Sequence, residues 1–288
     1  MDVSVLNAID LSAPGFLIMV IGAPDSGKST LAQLIYRQLC REYSHVAYLD
    51  GDPGQSILGP PTTLSLAINR QGDRSFPPQG RIWRRFLGAT SPRGHMLPML
   101  VGIHRLVQKA RENGAQVVVY DTCGMVDARE GGLALKLAEI ELLQPSMLIA
   151  LQRENELEPL LEAIRAYPCR VIRCSPSSQV KPRSVEERRS YRARSFREYF
   201  HQAHLLTLER STSSLAVIAP FPLQPSQLIS LEDGHGFVLA LGILQPQETS
   251  EQLCILTPLK KIEAFRILRA GSLLLDSHTF QERRVMLE

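Results

Sequence analysis

Between residues 16 and 174 the chain alternates short, mostly apolar runs with longer stretches in which apolar residues return every three or four positions. The run at 16–21 (FLIMVI) is too short for a buried helix and reads as a strand covered on both faces. Over 28–42 the pattern changes, and Leu31, Leu34, Ile35 and Leu39 fall on one side of a helix. Similar runs at 45–49, 116–120, 147–151 and 169–174 predict further strands, and segments at 97–113, 132–143 and 156–166 predict helices between them. Strand, helix and strand in succession require parallel crossovers, so the reading is an α/β fold with a doubly wound, mostly parallel sheet. Residues 1–14 are too few for a domain and read as an edge strand or lead-in.

After about residue 205 the periodicity changes. Short β-like runs at 215–219, 236–243, 252–257, 264–268 and 272–275 alternate with Pro, Gly and Asp turns, which predicts a small β-rich C-terminal domain over 205–288. It shows no cluster of catalytic residue types, and His235 reads as part of a hairpin turn. A basic helix at 184–201 (SVEERRSYRARSFREYFH) lies at the end of the N-terminal domain, 1–204. Residues 181–200 hold seven basic side chains against three acidic ones, and Arg188 and Arg192, four apart, share a face. Such a helix is either a solvated surface element or a lid that closes over a transferring phosphate.

The turn after the first strand carries the clearest chemistry. Residues 22–30, GAPDSGKST, form a complete G-x-x-x-x-G-K-S phosphate loop between strand and helix. Gly22, Ala23, Pro24, Asp25, Ser26 and Gly27 can turn backbone N–H groups around a polyphosphate, and the helix opening at Lys28, Ser29 and Thr30 adds its positive end. Lys28 is expected on the β- and γ-phosphates and Ser29 on Mg²⁺, which makes this a P-loop NTPase-type domain. Asp50 and Asp52 follow the second strand and Asp121 follows another, so all three compete for the metal. Residues 70–93 set six arginines against Asp73 alone, with Phe76, Trp83 and Phe86 among them. That stretch is either a nucleic-acid track of basic and stacking groups or a strand with solvated arginines.

Composition narrows the picture without redirecting it. A net charge of +3 over 288 residues is only mildly basic, so any case for nucleic acid rests on where the arginines cluster. Five scattered cysteines with no C-x-x-C pair argue against a disulfide framework or a zinc site and fit a reducing cytoplasm. The first residues do not resemble a secretory signal. No apolar run reaches the roughly 18–20 residues of a membrane span, so no membrane partner is expected.

Six segments in chain order, GAPDSGKST (22–30), LDGDPGQ (49–55), PPTTLSL (60–66), GATSPRGH (88–95), DTCGMV (121–126) and RRSYR (188–192), together resemble the polynucleotide 5′-hydroxyl kinase family. These are the RNA-end kinases of pre-mRNA 3′-end formation, tRNA splicing and ribosomal RNA processing. The resemblance implies ATP and Mg²⁺ as cofactors and transfer of the γ-phosphate to the 5′-hydroxyl end of an RNA or DNA oligonucleotide. It also implies Asp52 as the base, Arg188 and Arg192 as lid arginines, and Thr122, Gly124 and Met125 as a clasp on the terminal nucleotide. Gln55, Pro61 and Ser65 would face substrate, with Asp50 beside the metal. Two departures stand out: the clasp tryptophan of the family is Met125 here, and 14 residues leave no room for the N-terminal β-domain of its larger members. The same motifs allow a GTP-hydrolysing switch, through the D-x-x-G at 121–124, although no N-K-x-D segment accompanies it. A nucleotide-binding scaffold without catalysis is the third reading.

Overall fold

Alternation along β1 (Leu17–Gly22) sends Leu17, Met19 and Ile21 to one face of a sheet and Ile18 and Val20 to the other, and all five are buried. In the computed structural model, which describes residues 9–13, 15–177, 181–209, 215–220, 222–246, 252–260 and 265–285, β1 sits inside a seven-stranded sheet. Chain order continues through α1 (Lys28–Leu39), β2 (Val46–Gly51), β3 (Thr63–Ile68), β4 (Ile82–Phe86), α2 (Met96–Glu112) and β5 (Val117–Thr122). Then come α3 (Gly132–Leu143), β6 (Met147–Leu151), α4 (Glu158–Ala163), β7 (Arg170–Cys174) and α5 (Val185–Phe200).

The sheet order is β4-β3-β2-β5-β1-β6-β7, with only β3 antiparallel to its neighbours. One face is covered by α2, α3 and α4, the other by α1, whose Leu31, Ile35, Tyr36 and Leu39 lie against Ile18, Val20 and Tyr48. Each such aliphatic side chain contributes roughly 1.5–3 kcal/mol by leaving water. The doubly wound expectation is met, and the carboxyl ends of β1, β2, β5 and β6 gather at one edge, where open α/β sheets bind ligands. Of the lead-in, residues 9–13 form no strand, although Ile9 and Leu11 are buried against the α1 face; residues 1–8 and 14 lie outside the described residues.

The basic, aromatic segment at 70–93 resolves as the connection after β3, then β4 and the start of the turn into α2, rather than as a track for nucleic acid. Trp83, Phe86 and Leu87 are core residues, and Phe76 packs edge-on against Tyr48 and Tyr36 at 4.9 and 5.8 Å, so these rings are not free for base stacking. The arginines between them are structural too. Arg84 donates to the Leu58 carbonyl at 3.0 Å, and Arg85 donates to the Gly236 carbonyl and stacks over Phe237.

Past α5 the chain builds a second, antiparallel sheet from β8 (His204–Glu209), β9 (Ala216–Ile218), β10 (Gln227–Glu232), β11 (Val238–Leu244), β12 (Gln252–Thr257), β13 (Ile267–Leu275) and β14 (Glu282–Arg284). Its order is β14-β13-β10-β11-β12-β8, with β9 parallel to β13. The two runs predicted at 264–268 and 272–275 are one strand, because Ala270 still pairs with Ile229 of β10 and, past a register shift, Leu274 pairs with Gln227; residue 264 lies outside the described residues. Phe196 and Phe200 of α5 are buried among Leu228, Leu241, Ile243, Leu273 and Leu275 of this sheet. The two sheets meet at backbone level. A Cβ on Gly88 would lie 2.7 Å from Gly271 Cα, and the Ser272 N–H donates to the Gly88 carbonyl at 2.8 Å.

Candidate active site

The phosphate loop turns at two residues in the left-handed region, Asp25 (φ 52) and Gly27 (φ 89), and α1 starts at Lys28 with no side chain capping its first turn. Its leading N–H groups are thus left to whatever anion enters the loop. Gly22 is required by space: a Cβ there would sit 2.6 Å from the Leu151 carbonyl and 2.8 Å from Ser26 Oγ, itself a buried hydroxyl with no partner. Lys28 is buried and donates to the Ala23 carbonyl at 2.9 Å. Burial lowers its pKa, while the carboxyls of Asp121 and Asp52 act in the opposite sense. Ala23, Pro24, Asp25, Ser29 and Thr30 line the same cleft, whose volume is about 1270 Å³.

The three candidate metal acids separate clearly. Asp121 is buried at the end of β5, with Oδ2 accepting from the Tyr48 hydroxyl at 3.0 Å and Oδ1 left without a hydrogen-bond partner. Burial pushes its carboxyl up to about 7, against the pull of the Lys28 ammonium and the Ser29 hydroxyl. An orphaned carboxylate oxygen beside the phosphate-loop serine suits a hard divalent cation, so Ser29 and Asp121 fit Mg²⁺. Asp50 does not. Its Oδ2 accepts from Ser56 Oγ at 2.8 Å and from the N–H groups of Ile57 (2.6 Å) and Leu58 (3.0 Å), and Oδ1 accepts from the Asp52 N–H. That carboxylate is spent on shaping the loop after β2.

The loop so shaped presents Asp52 and Gln55 to the cleft. Asp52 Oδ1 accepts from the N–H groups of Gly54 (2.9 Å) and Gln55 (3.0 Å), and the Gln55 side chain accepts from Arg183. Pro61 and Ser65 are not at the site. Both are buried, Ser65 in β3, where this segment supports the loops in front of it: the Thr62 N–H donates to the Pro53 carbonyl, and the Thr62 carbonyl accepts from Leu87 and Gly88. Thr122 is likewise withdrawn, its buried hydroxyl donating to the Val20 carbonyl at 2.9 Å and tying β5 to β1. Gly124 and Met125 do line the cleft, and Gly124 packs so tightly on the phosphate loop that a Cβ would be 2.8 Å from the Pro24 nitrogen.

α5 opens with a capping box at Ser184 and Glu187 and reaches across the cleft mouth. Arg188 donates to Asp25 Oδ2 at 2.5 Å, and the same oxygen accepts from the Arg183 N–H at 3.1 Å. Tyr191 donates to the Ser56 carbonyl at 2.8 Å. Arg192 also lines the cleft, but its partner is Glu282 of β14. Sequence reading missed Asp25 as an anchor and Glu282 altogether. It also missed the buried network behind the clasp, in which Lys136 donates to Glu139 (3.0 Å) and to Cys123 Sγ (3.3 Å), and Tyr120 donates to Glu139 (3.0 Å). The signal for that network was present: a lysine and a glutamate three apart on a mostly apolar helix whose one other charge is Glu141.

Comparison with known proteins agrees with this geometry. Residues 22–202 match the family described as the mRNA cleavage and polyadenylation factor CLP1 P-loop. The polyribonucleotide 5′-hydroxyl-kinase of Thermococcus kodakarensis is 34% identical over 243 residues, which is 83% of this chain and 68% of that protein. Its counterpart from Pyrococcus abyssi is 33% identical over 66% of this chain but only 52% of its own length. Among solved structures, a wild-type Clp1p–Pcf11p complex superposes with a TM-score of 0.70 at 13% identity, covering 93% of this chain and 76% of that one, a likeness of fold. With the phosphate loop, the acid after β2 and the arginine helix all lining one cleft, the chain belongs to the CLP1 P-loop family of polynucleotide kinases.

Proposed function

We propose that the protein is an ATP-dependent polyribonucleotide 5′-hydroxyl kinase. The observation that carries the reading is convergence: Lys28, Asp52 and the α5 pair Arg188 and Arg192 come from three separate segments and line one cleft. Lys28 grips the β- and γ-phosphates within the uncapped first turn of α1, so the donor is fixed before the acceptor arrives. Asp52, held by the Gly54 and Gln55 amides, receives the proton of the attacking 5′-hydroxyl. A bond forms between that oxygen and the γ-phosphorus, the bond to the β,γ-bridging oxygen breaks, and ADP leaves. Arg188 and Arg192 offset the charge on the transferred group. Mg²⁺, which Ser29 and Asp121 would hold, would supply further neutralisation of the phosphate oxygens.

The test is end-labelling with γ-labelled ATP on matched RNA and DNA strands bearing a 5′-hydroxyl, with 5′-phosphorylated strands as controls. Label on the 5′-hydroxyl RNA alone or on both nucleic acids supports the kinase, and the ratio gives the preference. Nucleotide hydrolysis without label in any strand favours a hydrolysing switch, and tight ATP binding without turnover favours a scaffold.

A further inference from the structure

The second sheet carries no obvious catalytic group, yet it supplies the carboxylate that holds a lid arginine. Glu282 stands on β14, which among the described residues pairs with β13 alone, and its Oε1 and Oε2 accept from Arg192 Nε at 2.8 and 2.9 Å while Oε1 lies 2.5 Å from Arg192 Nη2. The two side chains are 13% and 15% exposed, so the pair is largely shielded from solvent. A fork engaged along its Nε/Nη2 edge has its plane and direction fixed, unlike a free arginine, which must lose rotamer freedom at the moment of reaction.

The surroundings of the pair show why this contact decides where Arg192 points. The C-terminal half of α5 is rooted in the second sheet through Phe196 and Phe200, through the Tyr199 hydroxyl, which accepts from the Leu241 N–H at 2.9 Å, and through Arg197, which donates to the Thr279 carbonyl at 3.2 Å. The N-terminal half is rooted in the phosphate loop through Arg188 and Asp25. Arg192 lies between these anchorages, lining the cleft, with Glu282 as its ion-pair partner.

We infer that Glu282 is the positioning residue of Arg192, and that the C-terminal sheet takes part in phosphoryl transfer through this one carboxylate. The inference rests on the reading of the cleft as a phosphoryl-transfer site. Glu282 touches neither phosphate nor acceptor; it keeps the guanidinium aligned so that binding energy is realised in the transition state and not in ATP binding.

A double-mutant cycle tests it, with kcat and KM for ATP measured on a 5′-hydroxyl RNA for the wild type, Glu282→Gln, Arg192→Ala and the double variant, and thermal unfolding recorded for each. Glu282→Gln is expected to lower kcat by about tenfold or more with KM for ATP unchanged, and to have no further effect in the Arg192→Ala background. A kcat equal to wild type in Glu282→Gln, or an equal loss in both backgrounds, overturns the inference while the kinase reading stands. A fall in kcat that follows a fall in unfolding temperature, and is restored when assays are run at lower temperature, also overturns it in favour of a structural role. A wild-type chain that never labels RNA overturns the kinase reading and this inference together.

Discussion

Arg188 of the lid helix donates to the carboxylate of Asp25, a residue of the phosphate loop itself, at 2.5 Å. On the proposed kinase reading, the loop that would receive the polyphosphate thus holds an anion already engaged with a lid arginine, and an arriving phosphate would compete with Asp25 for Arg188. Replacing Asp25 with Asn removes the charge and keeps a residue type that tolerates the left-handed backbone found there. A partly exposed pair is worth about 0.5–1 kcal/mol, so Asp25→Asn is expected to tighten ATP binding by roughly two- to fivefold. Equilibrium binding of ATP measures this, and weaker binding would instead assign Asp25 to shaping the loop.

Asp52 has one oxygen occupied by two backbone amides. Asp52→Asn keeps an acceptor for those amides and removes the base, so turnover is expected to fall by about 10²-fold or more while ATP still binds. Steady-state end-labelling beside ATP titration separates the two. Wild-type turnover in this variant would sink the assignment of Asp52. Lys28→Ala, in contrast, should lose both binding and turnover.

Met125 lines the cleft where a family member is expected to carry tryptophan. Met125→Trp restores a stacking surface, and base stacking is worth about 1–3 kcal/mol, so KM for RNA should drop by roughly fivefold or more. An unchanged KM would show that the terminal base is held elsewhere.

Lys136 and Glu139 are wholly buried, and Glu139 also accepts from Tyr120. Lys136→Met leaves the Glu139 carboxylate uncompensated and should cost about 3–5 kcal/mol in urea unfolding. Lys136→Met combined with Glu139→Leu removes both charges and should be the more stable of the two variants. The reverse order would mean that Lys136 contributes by packing alone.

How much of this was legible in the chain depended on how local each relationship is. Lys28, Ser29 and the turn around them lie within one loop, so their spacing already carries the chemistry. The D-x-D segment showed two acids past a strand, but not that the Ile57 and Leu58 amides would claim Asp50 and leave only Asp52 in the cleft. Thr122 was read as a grip on nucleotide, yet its hydroxyl is taken by Val20, a residue on a neighbouring strand that no local pattern reveals. Arg84 and Arg85 looked like surface charge because no local pattern shows that the Leu58 carbonyl claims the one and that the other meets Gly236 and Phe237, more than 150 residues on. Glu282 is 90 residues from Arg192, and only the antiparallel pairing of β13 and β14 brings it there.

The contact of Gly88 with Gly271 has a geometric consequence for the whole cleft. Gly88 opens the segment that reaches Thr90, Ser91 and Pro92 on one wall, while β13, which carries Gly271, also pairs with the strand bearing Glu282 and hence orients Arg192 on the other. Two walls that belong to the parallel sheet in sequence are thus located relative to a single strand of the second sheet. Both walls meet at β13, so a shift of that strand would move the Gly88 segment and the carboxylate that holds Arg192 together.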